Sequence, residues 1–446
     1  MCIFIKKRMD KRIEGFSKLT KKEKIDWITK AHFKNPEAAN QSLSSYWNTN
    51  PELQKIHDEF TENTLTNFYL PLGVAPNFLI NGKTYTIPMV IEESSVIAAA
   101  GNAAKFWSTR GGFHAEVLDT IKVGQIHFLF EGNSDLLRSF FRKNKSLLLA
   151  STDEFSKNMQ ARGGGIISLE LIDKTELIPT YFQLHLRFKT ANAMGANFIN
   201  SCLENMASKL EELAAIEIGF SKLKKPLEVI MSILSNYVPE CLVRACVQCP
   251  ISNFTPGKGG NGKDFAQKMV QAVQIAKHEP YRAVTHNKGI MNGVDALILA
   301  TGNDFRAVEA GVHAYASKNG QYTALSDAYI KEEVFHMELT IPLAIGTVGG
   351  LTKLHPMVNW SMELLEYPDA ETLMKIVAVA GLAQNFAALW SLVTSGIQKG
   401  HMKMHLLNIL NQMGANETQK KEAIHHFKEH TVSAQSVGQF LKNWKS

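Results

Sequence analysis

Cysteine is scarce in this chain, with 5 among 446 residues, at positions 2, 202, 241, 246 and 249. An odd and sparse set excludes a small disulfide-stapled scaffold and is typical of a reducing compartment. Cys246 and Cys249 form a CxxC pair inside the apolar segment CLVRACVQC. That segment predicts a buried strand, so we expect structural thiols there rather than a metal or redox site.

We expect neither a secretion signal nor a membrane anchor. The opening run MCIFI is too short for a signal-peptide core, and Met9 is an alternative start. The longest apolar stretch, 376–397, is long enough to span a bilayer. Gln384 and Asn385 lie near its middle, where polar groups are costly in lipid. We therefore predict a buried core helix in a soluble, cytoplasmic protein.

The body of the chain has no excess of either charge. Residues 1–24 hold nine basic and three acidic residues, which account for the net charge of +6 and leave 39 of each sign elsewhere. A nucleic-acid-binding body would carry a basic face. We therefore expect no nucleic acid partner, and a solvated basic leader.

Periodicity predicts a mixed α+β protein with an inserted unit. The predicted elements are helices over 21–60, a strand at 85–91, a helix rich in small residues at 94–107, strands at 124–131, 166–172 and 181–189, and helices at 134–160 and 197–215. Strand, helix, strand, strand and helix make a compact α+β unit of about 120 residues, inserted into a larger body that resumes near Asn236. The polar helical stretch 396–446 is either a mobile cap or a terminal docking pair.

Two motifs suggest chemistry that we do not expect. GKGGNGKD (257–264) matches a phosphate-binding loop until Asp264, which stands where a hydroxyl should meet magnesium, so a surface loop is favoured over an ATPase site. The pairs His401/His405 and His426/His430 have zinc-ligand spacing but no third ligand. We expect no metal, and regard a single functional histidine at His401 as more plausible.

Two further constellations remain open on the residues alone. Glu92 and Glu93 end a strand, so one carboxylate faces solvent while the other can face a cavity and act as an acid. On this stretch alone, helix N-terminal acids stabilised by the helix dipole are the favoured interpretation. Lys288 and Asp304 flank an apolar stretch. If that stretch folds as helix and turn, Asp304 can hold a buried Lys288 against a developing oxyanion, although a purely structural ion pair fits as well.

Several segments together carry a resemblance. They are ENTLTNFYLPLGVAPNFLING (62–82), PMVIEESSVIAAAGNAAKF (88–106), NAMGANFIN (192–200), PYRAVTHNKGIMNGVDALILATGNDFRAVEAGVHAYA (280–316) and GLAQNFAALWSLVTSGIQKGHMKMH (381–405). In this order, over about residues 10–440, the chain closely resembles the hydroxymethylglutaryl-CoA reductase family in its soluble bacterial class II form. The resemblance implies reduction of 3-hydroxy-3-methylglutaryl-CoA (HMG-CoA) to mevalonate and CoA with two NAD(P)H. The reaction is reversible in this family, and some members work mainly in the reverse direction.

The resemblance also implies residue roles. The catalytic set is Glu93, Lys288, Asp304 and His401; substrate contacts are Ser95, Arg282, Asn292, Asn236 and Gln384; cofactor contacts are Asn192, Met194, Gly195, Asn197 and Ser156. Lys288 would stabilise the oxyanion, with Asp304 holding it and coupling it to Glu93. His401 would protonate the thiolate, and Glu93 the alkoxide. A non-catalytic CoA-thioester-binding protein on the same fold is the alternative.

The implied architecture has three domains. They are a large, mainly helical substrate-binding domain with a central helix (1–112 and 236–395), an inserted ferredoxin-like, non-Rossmann NAD(P)-binding domain (113–235) and a helical C-terminal flap (396–446). We expect a homodimer, or a higher oligomer built from it, with active sites between subunits.

This chain departs from the family at two points. Asn192 replaces an aspartate, and IEESS has serine where the family has proline, a change of little expected effect. Ser156, Lys157 and Arg162 would tolerate a ribose 2′-phosphate, which favours NADPH over NADH.

Overall fold

The computed structural model describes residues 11–223, 227–255, 261–350, 354–394, 396, 406–427 and 430–444. The chain divides into two compact units, the first ending at Pro71 and the second beginning at Leu72. The first unit contains helices α1 (Lys21–His32), α2 (Pro36–Ser44) and α3 (Pro51–Glu59). Thr20 and Glu23 form a capping box at α1, while Asn35 and Asn50 cap α2 and α3 ahead of prolines. The helical prediction for 21–60 is confirmed.

The second unit alternates strands and helices along its length. Its first half contains β1 (Leu72–Ile80), β2 (Lys83–Val90), α4 (Val96–Ser108), β3 (His114–Val117), β4 (Lys122–Leu129), α5 (Ser134–Ala150), α6 (Asp153–Gln160), β5 (Gly165–Asp173), β6 (Tyr181–Lys189), α7 (Ala196–Ile216) and β7 (Glu228–Ser235). Its second half contains β8 (Leu242–Pro250), α8 (Gly262–His278), α9 (Pro280–Ala300), α10 (Phe305–Ala316), β9 (Ser326–Lys331), β10 (Val334–Pro342), α11 (Pro356–Leu364), α12 (Ala370–Val393), α13 at 406–412, α14 (Glu417–His426) and α15 (Ala434–Lys442).

Helix α12 lies at the centre of the largest hydrophobic core. It packs against α4, α8, α9 and the antiparallel sheet β3-β8-β10-β9. Long and apolar enough to cross a membrane by composition alone, it is instead mostly buried within the protein. Gln384 and Asn385 are buried in its middle. The prediction of a buried core helix is therefore confirmed.

Strands β4 to β7 and helices α5 to α7 form the inserted unit. Its antiparallel sheet has the order β5-β6-β4-β7, and the helices pack against it around a separate core. This is the βαββαβ arrangement of ferredoxin-like folds, so the predicted fold class is confirmed. The strand predicted at 181–189 is confirmed as β6, whose side chains alternate: Phe182, Leu184, Leu186 and Phe188 are buried.

The last helices have a small core of their own. Leu406 and Leu410 of α13 pack with Ala423, Phe427 and Val437 from α14 and α15. Three separate cores therefore occur after Leu72: one around α12, one in the inserted unit and one in the C-terminal helices. His401 and His405 lie outside the described residues, as do 257–260 of the predicted surface loop. Asn261, which follows that loop, caps α8 by accepting from Lys263 and Asp264 N–H groups.

Candidate active site

A cavity of about 310 Å³ lies between α9, α12 and the start of α4. We call it the central cavity. It brings together six of the predicted catalytic and substrate-binding residues: Glu93, Ser95, Arg282, Lys288, Asn292 and Gln384. Thr285, His286 and Asn385 also line it, although no motif in the sequence points to these three.

Glu92 and Glu93 are adjacent in the loop between β2 and α4, and their side chains have different surroundings. Glu92 is exposed, whereas Glu93 is half-buried and lines the central cavity. Ser95 donates a hydrogen bond to Glu93 Oε1 at 3.4 Å. The carboxylates therefore face different surroundings, which is the arrangement that the extended chain predicted. Val96 begins α4 directly afterwards, and the small residues of that helix allow α12 to approach.

Helix α9 presents one face to the central cavity. Arg282, Thr285, Lys288 and Asn292 recur at three- and four-residue spacing, so they share that face. Burial lowers the pKa of Arg282, which marks it as a partly desolvated cation. Lys288 is exposed in this structure, so the chain alone does not bury its ammonium as expected.

Asp304 does not accompany Lys288 in the central cavity. It caps α10 by accepting from the Arg306 and Ala307 N–H groups, and it pairs with the Arg306 guanidinium at 3.0 Å. Burial alone would raise the pKa of Asp304, but the hydrogen bonds from Arg306 and Ala307 hold it below its ordinary value.

The expected contact between Lys288 and Asp304 is therefore wrong for a single chain. The physical reason is that α9 continues unbroken to Ala300. Twelve further residues of helix carry the chain about 18 Å along the axis beyond Lys288. The helix and turn that would bring both ends to one cavity is not formed.

Helix α12 contributes buried amides on the opposite wall. Gln384 is 5% exposed, and its Oε1 has no hydrogen-bond partner among the described residues. Asn385 is bonded to Ser326 and His286. A buried amide oxygen without a partner is costly, so Gln384 Oε1 is an unsatisfied acceptor beside the central cavity.

The predicted cofactor residues lie at the start of α7, outside the central cavity. Asn192 O accepts from Thr347 N at 2.9 Å, and Asn192 Oδ1 accepts from Ala370 N at 3.0 Å. Gly346 packs so tightly here that a Cβ on it would lie 2.3 Å from Met194 N. Asn303 Oδ1 accepts from Gly346 N, so this loop also adjoins the turn that carries Asp304.

The remaining predicted contacts fall in different places. Asn197 is exposed on the first turn of α7. Ser156 is 2% exposed and faces Cys202 at 3.9 Å, so its assignment to the cofactor is corrected: it is buried between α6 and α7. Asn236 is exposed, and its backbone oxygen contacts α10 at Gly311 rather than the central cavity.

Lys122 is a functional candidate that the sequence analysis missed. Its ammonium is buried and donates to Thr190 Oγ1 and, at 2.9 Å, to Ala193 O. Burial lowers its pKa. Through these two hydrogen bonds, Lys122 stabilises the conformation of the loop 190–195. A lysine in a strand of mostly apolar neighbours was the available signal, because such a cation must find partners when it is buried.

The other motifs show no assembled chemistry in the described chain. Cys241 and Cys249 are buried free thiols whose pKa burial raises to about 11, which fits structural cysteines. His426 and His430 stack at 4.1 Å between ring centroids. No group of three or more His, Cys, Asp or Glu side chains with metal-binding geometry occurs among the described residues.

An apolar groove extends from the central cavity between α4 and α12. It has a volume of about 530 Å³ and shares Ala99, Ala387 and Ser391 with the cavity. Phe106 and Trp390 form its walls, with Lys105 at its lining. Together, the cavity and the groove suit a ligand with a compact polar head and a long, partly apolar arm.

A cavity that collects two cations, a carboxylate and side-chain amides is typical of an enzyme that stabilises negative charge on a bound carbonyl compound. Comparisons with known proteins identify the family. The family model described as hydroxymethylglutaryl-coenzyme A reductase matches residues 20–406. The 3-hydroxy-3-methylglutaryl-coenzyme A reductase of Archaeoglobus fulgidus is 34% identical over 411 residues, which cover 92% of this chain and 89% of that protein.

Further relatives agree. A probable 3-hydroxy-3-methylglutaryl-coenzyme A reductase of Borreliella burgdorferi is 35% identical, covering 80% of this chain and 79% of that protein. The class II enzyme of Streptococcus pneumoniae, solved bound to NADPH in open conformations, superposes with a TM-score of 0.70 at 35% identity, covering 92% of this chain and 99% of that one. The chain belongs to the hydroxymethylglutaryl-CoA reductase family, as an oxidoreductase of the class II type.

These findings confirm the predicted family, enzyme class and reaction, the reduction of HMG-CoA. The alternative of a non-catalytic thioester-binding protein is not favoured, because the relatives over most of the chain are named as reductases.

Proposed function

We propose that the chain reduces HMG-CoA by four electrons to mevalonate and free CoA, reversibly, with two equivalents of a nicotinamide cofactor. The observation that carries this proposal is the central cavity, which places Glu93, Lys288, Arg282 and Gln384 around one space. Three of these groups each match one chemical feature of the reaction: Arg282 the acyl carboxylate, Lys288 the thioester carbonyl and Glu93 the alkoxide.

Arg282 binds the acyl carboxylate in this proposal. Its guanidinium is partly desolvated, and a bidentate carboxylate is the partner that best satisfies it. The apolar groove then takes the pantetheine arm of CoA, whose length suits a channel between two helices. Lys105 at the groove lining would favour an anionic ligand.

Lys288 stabilises the oxyanion formed when the thioester carbonyl is reduced. Glu93, half-buried beside Ser95, supplies a proton to the alkoxide of the second reduction. Protonation of the departing thiolate falls to His401 by the resemblance. That residue lies outside the described chain, so its role remains a prediction, as does the proposed flap at 396–446.

The start of α7 fits a dinucleotide. Gly195 has φ +97°, a Cβ on it would lie 2.4 Å from Thr190 Cγ2, and no side chain caps the helix. The first backbone N–H groups of α7 are thus available to a phosphate. We assign Asn192, Met194, Gly195 and Asn197 to holding the nicotinamide cofactor, which supplies hydride when bound. The exposed Lys157 and Arg162 favour NADPH over NADH, because a 2′-phosphate needs a cationic partner.

A homodimer completes the active site in this proposal. Lys288 is exposed in one chain, and Asp304 lies too far along the fold to hold it. A two-fold interface can place the partner's Asp304 beside Lys288. We further propose a cytoplasmic enzyme with the domains 1–112 with 236–395, 113–235, and 396–446. The three separate cores after Leu72 support this division within the second unit.

The test is the rate of nicotinamide oxidation by purified protein with HMG-CoA and either NADPH or NADH. We expect oxidation that requires HMG-CoA, is faster with NADPH, and consumes about two nicotinamides per mevalonate formed. Acetyl-CoA, which lacks the carboxylate for Arg282, serves as the control thioester. Folded, dimeric protein that oxidises neither cofactor in the presence of HMG-CoA would overturn the proposal.

A further inference from the structure

Lys122 is the first residue of β4, and its ammonium is buried among neutral groups. The side chain is 5% exposed and donates to two oxygens, Thr190 Oγ1 and, at 2.9 Å, Ala193 O. In the described part of the chain, no carboxylate forms an ion pair with it. Burial lowers the pKa of Lys122, an effect that the nearby Cys241 thiol opposes. A buried cation with only neutral partners is costly, so stability alone does not account for a lysine at this position.

The loop 190–195 has hydrogen bonds of its own that do not involve Lys122. Ala193 N donates to Thr190 O at 2.9 Å, and Thr190 Oγ1 donates to Ala193 O at 2.6 Å. Two more hydrogen bonds connect Asn192 to residues outside the inserted unit. An apolar side chain in place of Lys122 would leave all four of these bonds intact. What Lys122 alone supplies at this loop is therefore a positive charge.

That charge lies close to the start of α7. The Thr190 side chain stands between the two, because its Oγ1 accepts from Lys122 and its Cγ2 would lie 2.4 Å from a Cβ on Gly195. Gly195 directly precedes Ala196, the first residue of α7, and no side chain caps the helix. The first N–H groups of a helix carry partial positive charge. An anion bound at this helix start would therefore be attracted by the helix and by the ammonium together.

We propose that Lys122 is a positioning residue for the nicotinamide cofactor: its buried charge attracts the cofactor's pyrophosphate to the first turn of α7 without touching it. This inference rests on the proposed function, which places the dinucleotide at the loop 190–195. The interaction crosses packed protein rather than water, so it is weakly screened and has a longer reach than a surface charge. It increases affinity for the cofactor and takes no part in the chemistry at the central cavity.

The experiment measures dissociation constants of NADH, ADP-ribose and HMG-CoA by calorimetry, together with melting temperatures, for wild type and three variants. Lys122→Met removes the charge and keeps a side chain of similar size. Thr190→Val keeps the charge and removes the hydroxyl that accepts from it. Lys209→Met, on α7, removes a lysine whose partner is Glu212, and it is the control for loss of one positive charge from the inserted unit.

NADH and ADP-ribose share the pyrophosphate and lack a ribose 2′-phosphate, so both should bind Lys122→Met about ten-fold more weakly than wild type. The melting temperature of this variant should be unchanged or higher, because a costly buried charge is removed. Thr190→Val should show the opposite pattern, with a lower melting temperature and an NADH affinity within about three-fold of wild type. HMG-CoA binding should not change in either variant, and Lys209→Met should bind all three ligands normally.

Steady-state rates give a second measurement that a purely structural role would not move in the same way. Lys122→Met should raise the KM for NADH by about the same ten-fold, while kcat and the KM for HMG-CoA stay near wild type, because only uniform binding of the cofactor is lost. A fall in kcat at saturating NADH, with KM unchanged, would contradict a role in cofactor binding.

The contrary results of the binding experiment have separate meanings. Wild-type protein that binds neither NADH nor ADP-ribose would reject the cofactor site of the proposed function itself. Wild-type protein that binds both, with Lys122→Met binding them equally well, would reject only the role of Lys122. A Lys122→Met chain that melts much lower or does not fold, or a Thr190→Val chain that loses as much NADH affinity, would show that the hydrogen bonds matter rather than the charge, and would likewise overturn the inference.

Discussion

Gly293 of α9 and Ala380 of α12 approach so closely that a Cβ on the glycine would lie 2.4 Å from the Ala380 carbonyl oxygen. This contact sets the distance between the two helices that form the walls of the central cavity. Gly293 follows Asn292 in α9, and Ala380 lies one turn before Gln384 in α12. The cavity therefore depends on the absence of a single methyl group.

Gly293→Ala is expected to destabilise the protein by about 1–3 kcal/mol, because the new methyl forces two packed helices apart. Thermal unfolding measures the effect. Gly289→Ala is the matched control: it lies on the same helix, and its Cβ would meet Ala388 Cβ at 3.9 Å, an ordinary contact. That substitution should gain up to about 1 kcal/mol from helix propensity. Equal melting temperatures for the two variants would contradict the packing argument.

Lys288→Met should lower kcat/KM by about 10²–10³, the usual loss when one oxyanion-stabilising donor is removed. The KM for HMG-CoA should change little, since Arg282 and the groove hold the substrate. Steady-state rates with NADPH give both parameters. Lys268→Met, on the exposed side of α8, is the control for loss of one positive charge. A Lys288 variant that retains rates within a few-fold of the wild type would remove the lysine from the proposed chemistry.

Local patterns predicted the elements whose periodicity is complete. The strand-like pattern of 181–189 predicted β6, and the apolar run with two central amides predicted the buried helix α12. The hairpin of β9 and β10 was not identified. Its turn contains Glu332 and Glu333 at φ +51° and +57°, and a tight hairpin of this kind normally signals itself with Asn or Gly. Here the strand pairing, not the turn residues, imposes the backbone conformation.

The candidate site likewise contains residues that the sequence predicted and relations that it did not predict. Glu93, Arg282 and Lys288 could be named because each lies in a short, characteristic motif. The distance between Lys288 and Asp304 could not be predicted, because it depends on whether the chain between them turns or remains helical. His286 was also missed. Its environment comes from Ser326 and Asn385, which are distant in sequence and meet it only after the sheet and α12 have packed.

Asp295 should make stability depend on pH. Burial, together with a hydrogen bond to Glu309 and the charge of that residue, raises the pKa of Asp295 far above its ordinary range. The pKa of Glu309 is lowered, chiefly by its hydrogen bond with His313 at 2.7 Å. Folded Asp295 thus keeps a proton that the unfolded chain releases, so its contribution to stability is complete at low pH and falls as the pH rises.

Asp295→Asn removes this dependence, because asparagine can still donate toward Glu309 and does not titrate. The melting temperature of the variant relative to wild type should increase as the pH rises from about 5 to about 8. Glu309→Gln should behave oppositely: its penalty is present at neutral pH and decreases below about pH 4. A constant difference between Asp295→Asn and wild type across that range would show that Asp295 is ionised in the folded protein.

The position of Asp304 predicts which subunit supplies it. Lys288→Ala and Asp304→Ala chains, each inactive as homodimers, are co-expressed with different affinity tags, and the mixed dimer is purified on both. If the partner's Asp304 serves Lys288, the mixed dimer has one site with both changes and one site with neither. It should then show about half of the wild-type rate. If Asp304 served the lysine of its own chain, every site would contain one change, and the mixed dimer would be as inactive as either parent.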